Sequence, residues 1–388
     1  MVEKKVSDKI SKIRPSGIRR MFDLAQGVPN IISLGIGQPD FDTPDYIKNA
    51  MKKALDNKYT GYSPNIGYKE LREAIVNKYE EEYDLNYEPN DVIVTCGACE
   101  ALFDICQAIL NEGDEVLVPD PGFLTYPAQV IFAGGIPVPY QTKEEDDFEI
   151  KIEEIESKIT KKTKMIILNF PNNPTGAVMD KKKMNELIEF IEKKDIFILS
   201  DECYEKLIYD NLKHICVPTL GAKNKTFIVN SFSKSYAMTG WRVGYLLAPS
   251  EFIAPINLVH QMNTACTNSA AQIACVEALN NKDESLKFIK KMVSEFDKRR
   301  KFVFKRASEI PNISCNLTKG AFYFLLNIKN TGLSAQEFSE LMITDAKVVT
   351  VPGDEFGDIG KDYVRIAYTL DIKKLDEAFN RIENTLNK

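Results

Sequence analysis

The chain has 388 residues, 44% hydrophobic and 27% charged, ordinary values for a globular protein long enough for two domains. Its formal net charge of −6 argues against a nucleic-acid partner, which would meet a clustered basic surface. With no apolar run near the ~18 residues of a membrane span, no apolar signal core at the start, and eight scattered cysteines rather than a secreted disulfide framework, a cytoplasmic protein without membrane contact is expected.

Residues before about Pro44 follow no clear pattern and are expected to pack on the C-terminal unit or to reach a partner chain. From about Asp91 onward, short β-branched runs alternate with helical patterns. VIVT (92–95), EVLVP (115–119), MIILN (165–169), IFILS (196–200), TFIVN (226–230) and VGYLLA (243–248) are predicted strands. They are apolar throughout, as strands buried on both faces are. Helix-period segments such as 181–193 lie between several of them, which predicts an α/β fold around a mostly parallel sheet. The charged runs KEED (143–146) and KKTK (161–164) read as solvated loops. Later, Leu286, Ile289, Val293, Phe296 and Val303 recur at helical spacing and predict one long helix. It leads into a smaller α+β unit with strands AFYFLLNI (321–328) and YVRIAY (363–368) and a helix over 333–343. The expected division is 1–44 as an arm and part of the small domain, 45–285 as the large domain, and 286–388 as the small C-terminal domain.

Ligands of α/β sheets bind at the carboxyl ends of the strands. Gly97, Asn173, Asp201 and the stretch 231–234 each fall just past a predicted strand end, which suggests one site. Asp201, after IFILS, is either a helix cap or the partner of a buried cation, with Tyr204 close enough to point at the same cavity. NFPNNPTG (169–176) is either a plain turn or a rigid mount for the Asn173 amide. In TCGACEALFDICQAIL (95–110), the Gly97, Ala98 and Cys99 amides open a helix and attract an anion. The CxxC pair Cys96 and Cys99 also admits a redox or zinc reading. A single CxxC and only two histidines, His214 and His260, argue against it, and no metal is expected.

In NSFSKSYAMTGWRVGY (230–245), the hydroxyls of Ser231 and Ser233 and the Arg242 guanidinium, with the amides of 97–99, suit a phosphate dianion. Lys234 then stands beside whatever carries that phosphate, and a lysine amine beside an aldehyde forms a Schiff base. The cofactor combining aldehyde, phosphate and basic ring nitrogen is pyridoxal 5′-phosphate. Asp201 would keep its ring nitrogen protonated, Tyr204 and Asn173 would donate to its ring oxygen, and Phe123 in DPGFLTYP would stack on the ring. Ser235 has no task in this arrangement and reads as a helix-start hydroxyl.

The ordered set LGIGQPDFDTP (34–44), YSPNIGYKELREAI (62–75), NFPNNPTGAV (169–178), SDECYEKLIYD (200–210), SFSKSYAMTGWRVGY (231–245), PGDEFG (352–357) and YVRIAY (363–368) resembles the class I/II, fold-type I aminotransferases. The resemblance points to the prokaryotic and archaeal aspartate and aromatic amino-acid branch. It implies a large domain with a mostly parallel seven-stranded sheet plus a smaller α+β domain. It also implies a homodimer that moves an amino group from an L-amino acid to 2-oxoglutarate by a ping-pong cycle. Lys234 would be the Schiff-base lysine and proton carrier. Tyr62 would reach the phosphate of the neighbouring subunit. Arg365, with Asn173 and the Gly37 backbone, would hold the substrate α-carboxylate.

Three features depart from the family pattern. Phe123 stands where the family often has Trp, Gln38 where some members have Glu, and residues 100–110 carry no Lys or Arg. A pocket without a fixed cation favours aromatic or large apolar side chains, alongside acidic ones held by adaptable hydrogen bonds. The alternatives are a C–S lyase or other β-eliminating enzyme of the same fold, and a non-catalytic regulatory domain. The last predicts a DNA-binding module ahead of the fold, for which the stretch before residue 34 is short.

Overall fold

The computed structural model describes residues 7–13 and 17–387. The expected N-terminal arm is therefore answered only in part, since 1–6 and 14–16 lie outside the described residues. The two-residue strand β1 (Ile32–Ser33) pairs in parallel with β10 (Val348–Val349) of the same chain. The N-terminal segment thus packs on the C-terminal region, one of the two placements expected.

The large sheet contains β2 (Val92–Thr95), β3 (Glu115–Asp120), β4 (Ile136–Gln141), β5 (Thr163–Asn169), β6 (Phe197–Asp201), β7 (Thr226–Ser231) and β8 (Gly244–Leu247). Their order is β2-β8-β7-β6-β5-β3-β4, and only β8 runs against its neighbours. The strands are apolar along their length because both faces are covered. Val116, Val118, Ile167, Phe227 and Val229 pack against the helix Ala98–Ile109 on one face. The alternate residues Leu117, Ile166, Leu168 and Ile198 meet the helix Lys181–Glu192 on the other. That helix buries Met184, Leu187, Ile188 and Ile191, and the Asp180 carboxylate caps it by accepting from the Lys182 and Lys183 amides.

Within the large sheet one strand, β4, escaped the sequence pattern. Its run IPVPYQ carries Pro137 and Pro139, which remove ladder donors, and it lies at the sheet edge where those donors are not needed.

In the C-terminal region β9 (Tyr323–Asn327), β11 (Val351–Pro352) and β12 (Tyr363–Ala367) form an antiparallel sheet in the order β11-β12-β9. The long helix spans Lys282–Glu309 and buries Ile289, Met292, Phe296 and Val303. Leu286, expected on its apolar face, is 52% exposed near the helix start. The KEED run is more than a solvated loop: Glu144 accepts from Asn327 Nδ2 at 2.7 Å and the Tyr363 hydroxyl at 3.0 Å, tying the large sheet's flank to β9 and β12. Among the described residues no helix is long and apolar enough to cross a membrane.

Candidate active site

The strands β2, β5, β6 and β7 end on one edge of the large sheet, and the reversed β8 begins there. Ser231 and Thr95 both register with Gly244, and Asn169 registers with Asp201. The reversal of β8 is what brings Arg242 to this edge, two residues before Gly244. A cavity of about 340 Å³ opens at the edge, within the usual range for a small-molecule site. It is lined by Gly37, Ala98, Cys99, Phe123, Asn173, Asp201, Tyr204, Ser231, Ser233, Lys234, Arg242 and Arg365 among the residues expected from the sequence.

At one end, Gly97 adopts φ +85°, and a Cβ there would lie 2.5 Å from Arg242 Nη2. Gly97 therefore lies outside the cavity lining but shapes the turn that opens the helix Ala98–Ile109, whose first amides have no partner within the helix. Gly244 lets β8 pass beneath, since a Cβ would meet the Gly97 carbonyl carbon at 2.6 Å. The Arg242 guanidinium is fixed by donating to the carbonyls of Thr239 at 3.1 Å and Cys96 at 3.3 Å. Helix-start amides, two buried serine hydroxyls and a guanidinium together make an anion seat.

Asp201 ends β6 and is 5% exposed. Its Oδ2 accepts from the Tyr126 hydroxyl at 2.8 Å and its Oδ1 from the Cys203 amide at 3.1 Å. No cationic side chain pairs with it among the described residues, and burial raises its pKa despite these donors. The carboxylate is thus prepared for a cation, and the helix-cap alternative fails because only a turn follows β6. Lys234 sits in the short helix Phe232–Ser235, and its Nζ donates to the Gly37 carbonyl at 2.6 Å. Burial keeps the Tyr204 phenol protonated by raising its pKa, and its oxygen lies 2.8 Å from that of Tyr323.

At the other end Arg365, on β12, is 4% exposed. Its Nη1 donates to Asn173 Oδ1 at 2.9 Å and its Nη2 to the Gly35 carbonyl at 2.9 Å, while Nε is buried without a partner. Burial lowers its pKa, and no carboxylate pairs with it among the described residues. A buried guanidinium in this state is strongly favoured to take a carboxylate from a ligand.

One expectation is corrected: Ser235 is the last residue of its helix rather than a start, and its Oγ is buried without a partner. All eight cysteines are free, and burial raises the Cys96 and Cys99 thiols above their ordinary range instead of stabilising a thiolate. Tyr62 does not line the cavity of its own chain and is 91% exposed.

The sequence reading missed Tyr126, Asn169 and Tyr323. Asn169 carried a signal as the polar end of MIILN; its Nδ2 donates to the Asp201 carbonyl at 3.0 Å and its Oδ1 accepts from the Asn173 amide at 3.0 Å. Tyr126 lies one helical turn past Phe123, with the rings edge to face at 5.6 Å. Tyr323 lies within an apolar strand and gave no sign.

The lining holds three cations, Lys234, Arg242 and Arg365, against one carboxylate, Asp201, so it suits an anionic occupant. A group with a phosphate at one end and a basic ring nitrogen near Asp201 satisfies the anion seat and the unpaired carboxylate. Pyridoxal 5′-phosphate has both.

Comparison with known proteins agrees. The family model for aminotransferase class I and II matches residues 29–382. The aspartate aminotransferase of Pyrococcus abyssi is 44% identical over 99% of this chain and 98% of its own. An aromatic-amino-acid aminotransferase of Thermococcus litoralis is also 44% identical, over 99% and 98%. The structure of Thermus thermophilus aspartate aminotransferase with maleate superposes with a TM-score of 0.94 at 34% identity, covering 98% of this chain and 99% of that one. The cofactor of such enzymes is pyridoxal 5′-phosphate, and the chain belongs to the class I and II aminotransferases.

Proposed function

We propose that this aminotransferase takes the amino group of aspartate or an aromatic L-amino acid and passes it to 2-oxoglutarate by a ping-pong cycle in one site. The observation that carries the site reading is Arg365, buried and without a counter-ion among the described residues, in the same cavity as Lys234. The choice of substrates is supported by relatives of both names at equal identity. It also agrees with the mouth of the cavity, where Ile36, Gln38 and Thr239 offer apolar surface and neutral hydrogen bonds rather than a further cation.

Bound here, the cofactor supplies an electron-withdrawing ring that acidifies the Cα–H of an attached amino acid. Arg365 and the Asn173 amide hold the α-carboxylate and so orient that bond. Lys234, whose one hydrogen bond is to a backbone carbonyl, takes the Cα proton and carries it away. Asp201 would hold a proton at the ring nitrogen, the neutral Tyr204 phenol and Asn173 would donate to the ring oxygen, and Phe123 would lie against the ring. Ala98, Cys99, Ser231, Ser233 and Arg242 would hold the phosphate, with Gly97 shaping the turn that presents the first amides.

The reading includes a homodimer in which Tyr62 joins the phosphate of the partner subunit. Support comes from exposed apolar side chains: Tyr62, Leu258 and Met262 are 91%, 55% and 77% exposed, and Asn65 ties the Tyr62 loop to the end of the helix Ser250–Asn263, which carries the other two. Division into domains at 45–285 and 286–388, with 1–44 as arm, belongs to the same reading. The eight free thiols fit a reducing compartment such as the cytoplasm.

The test is to assay aspartate, phenylalanine, tyrosine, alanine and kynurenine with 2-oxoglutarate. Aspartate or the aromatic donors are expected to lead, with glutamate formed one for one. Pyruvate and ammonia released without any oxo acid from a donor that carries a leaving group on Cβ, such as a cysteine thioether, would mark a β-eliminating enzyme instead.

A further inference from the structure

His260, in the helix Ser250–Asn263, has no exposed surface and lies behind the turn that shapes the anion seat. Its Nε2 is 2.9 Å from the Asn65 carbonyl, which can only accept, so Nε2 carries a hydrogen. Its Nδ1 faces two carboxylates of the helix Ala98–Ile109, Glu100 Oε1 at 3.2 Å and Asp104 Oδ2 at 3.4 Å. A bare nitrogen lone pair against two buried carboxylates is repulsive, so a positive charge belongs between them. A proton on Nδ1 meets that need at these distances.

Burial alone would lower the His260 pKa, but Asp104 and Glu100 outweigh it and push it up to about 10. Burial, only partly offset by His260, raises Asp104 to about 6. Those two carboxylates are the charged groups facing the ring; Thr264 and Asn263 add polar contacts from the helix end, and Asn65 from the loop that carries Tyr62.

Glu100 has a second partner. Its Oε2 accepts from the Cys96 amide, while the Thr264 hydroxyl donates to Oε1. The Cys96 carbonyl in turn accepts from Arg242 Nη2. A line of contacts thus runs from His260, by its close approach to Glu100, and on by hydrogen bonds through Cys96 to the guanidinium of the anion seat. We propose that His260 is a positioning residue for the cofactor phosphate: as an imidazolium it fixes Glu100, and Glu100 fixes the Cys96–Gly97 turn against Arg242. The inference rests on the phosphate seat proposed above.

The test is equilibrium binding of pyridoxamine 5′-phosphate to the full-length protein, since this compound carries the phosphate but no aldehyde for Lys234. His260→Gln is expected to weaken binding ~10-fold, the loss of the charged contact that fixes Glu100. The double variant His260→Gln, Glu100→Gln is expected to bind no more weakly than His260→Gln alone, because one residue acts through the other. Asp104→Asn leaves the Glu100 tie intact; it is expected to shift the unfolding midpoint while keeping binding within about twofold of wild type. Arg242→Gln tests the seat separately: unchanged binding there overturns the phosphate assignment. Weakened binding by Arg242→Gln with His260→Gln unchanged overturns the linkage alone. Equal weakening by Asp104→Asn and His260→Gln overturns it as well, by showing a general structural effect. A divalent metal ion retained one per chain after dialysis, and lost in His260→Gln, would replace the proton in this account and overturn it.

Discussion

At the phosphate end of the cavity every group that this chain itself supplies comes from the large sheet, within a few residues of a strand end, and these pieces are already tied to one another. Arg242 is held by two carbonyls, and Gly97 leaves room for it, since a Cβ there would lie 2.5 Å from Nη2. At the carboxylate end the guanidinium comes from β12 in the other sheet, and its partners Asn173 and Gly35 are far away in sequence. One end is built from turns at neighbouring strand ends of a single sheet. The other exists only when two sheets and the N-terminal segment are assembled, and it holds a buried charge that waits for its counter-ion. Binding energy at the first end keeps a resident group in place; at the second it is drawn from each passing substrate.

The difference can be broken by mutation. Lys234→Ala, between the two ends, is expected to lower turnover by at least about 10⁴-fold and to remove the visible absorption that depends on its link to the cofactor aldehyde. Retention of both would displace Lys234 from the centre of the account. Arg365→Ala is expected to reduce kcat/KM by ~10²-fold, chiefly through KM, with cofactor binding unchanged. Gly97→Ala should do the reverse. A Cβ in the left-handed conformation and against Arg242 is expected to weaken cofactor binding about tenfold, with amino-acid KM unchanged in enzyme saturated with cofactor. A KM effect from Gly97→Ala equal to that of Arg365→Ala would dissolve the distinction between the ends.

The smallest expected effect is of pH. His260 has a folded pKa raised from its ordinary 6.5 to about 10. Its contribution is therefore present in full below about 6.5 and lost as pH rises through about 10. Pyridoxamine 5′-phosphate binding should weaken a fewfold across that upper range, and the decline should be smaller in His260→Gln. Parallel declines in the two proteins would remove His260 from the phosphate end.

The same contrast explains what could be read from the chain. The six apolar runs became strands because burial on both faces leaves a continuous apolar signature. β4 did not show because Pro137 and Pro139 are tolerated only at an edge, a property of the assembled sheet. Residues at the phosphate end were legible one by one, since Gly97, Ser231, Ser233 and Arg242 sit beside strands that announce themselves. An arginine within a strand such as YVRIAY suits solvent as well as a site, so Arg365 carried no signal of its own, and Tyr323 gave no sign within an apolar strand. The buried Glu100, Asp104 and His260 cluster was invisible too, because its helices are separated by more than a hundred residues and meet only through packing.

The most direct test of the two-ended site is the kcat/KM of Arg365→Ala with aspartate and with phenylalanine, each relative to wild type. The α-carboxylate is common to both substrates, so the account predicts losses of the same size. A loss confined to aspartate would put Arg365 on the substrate side chain and contradict it.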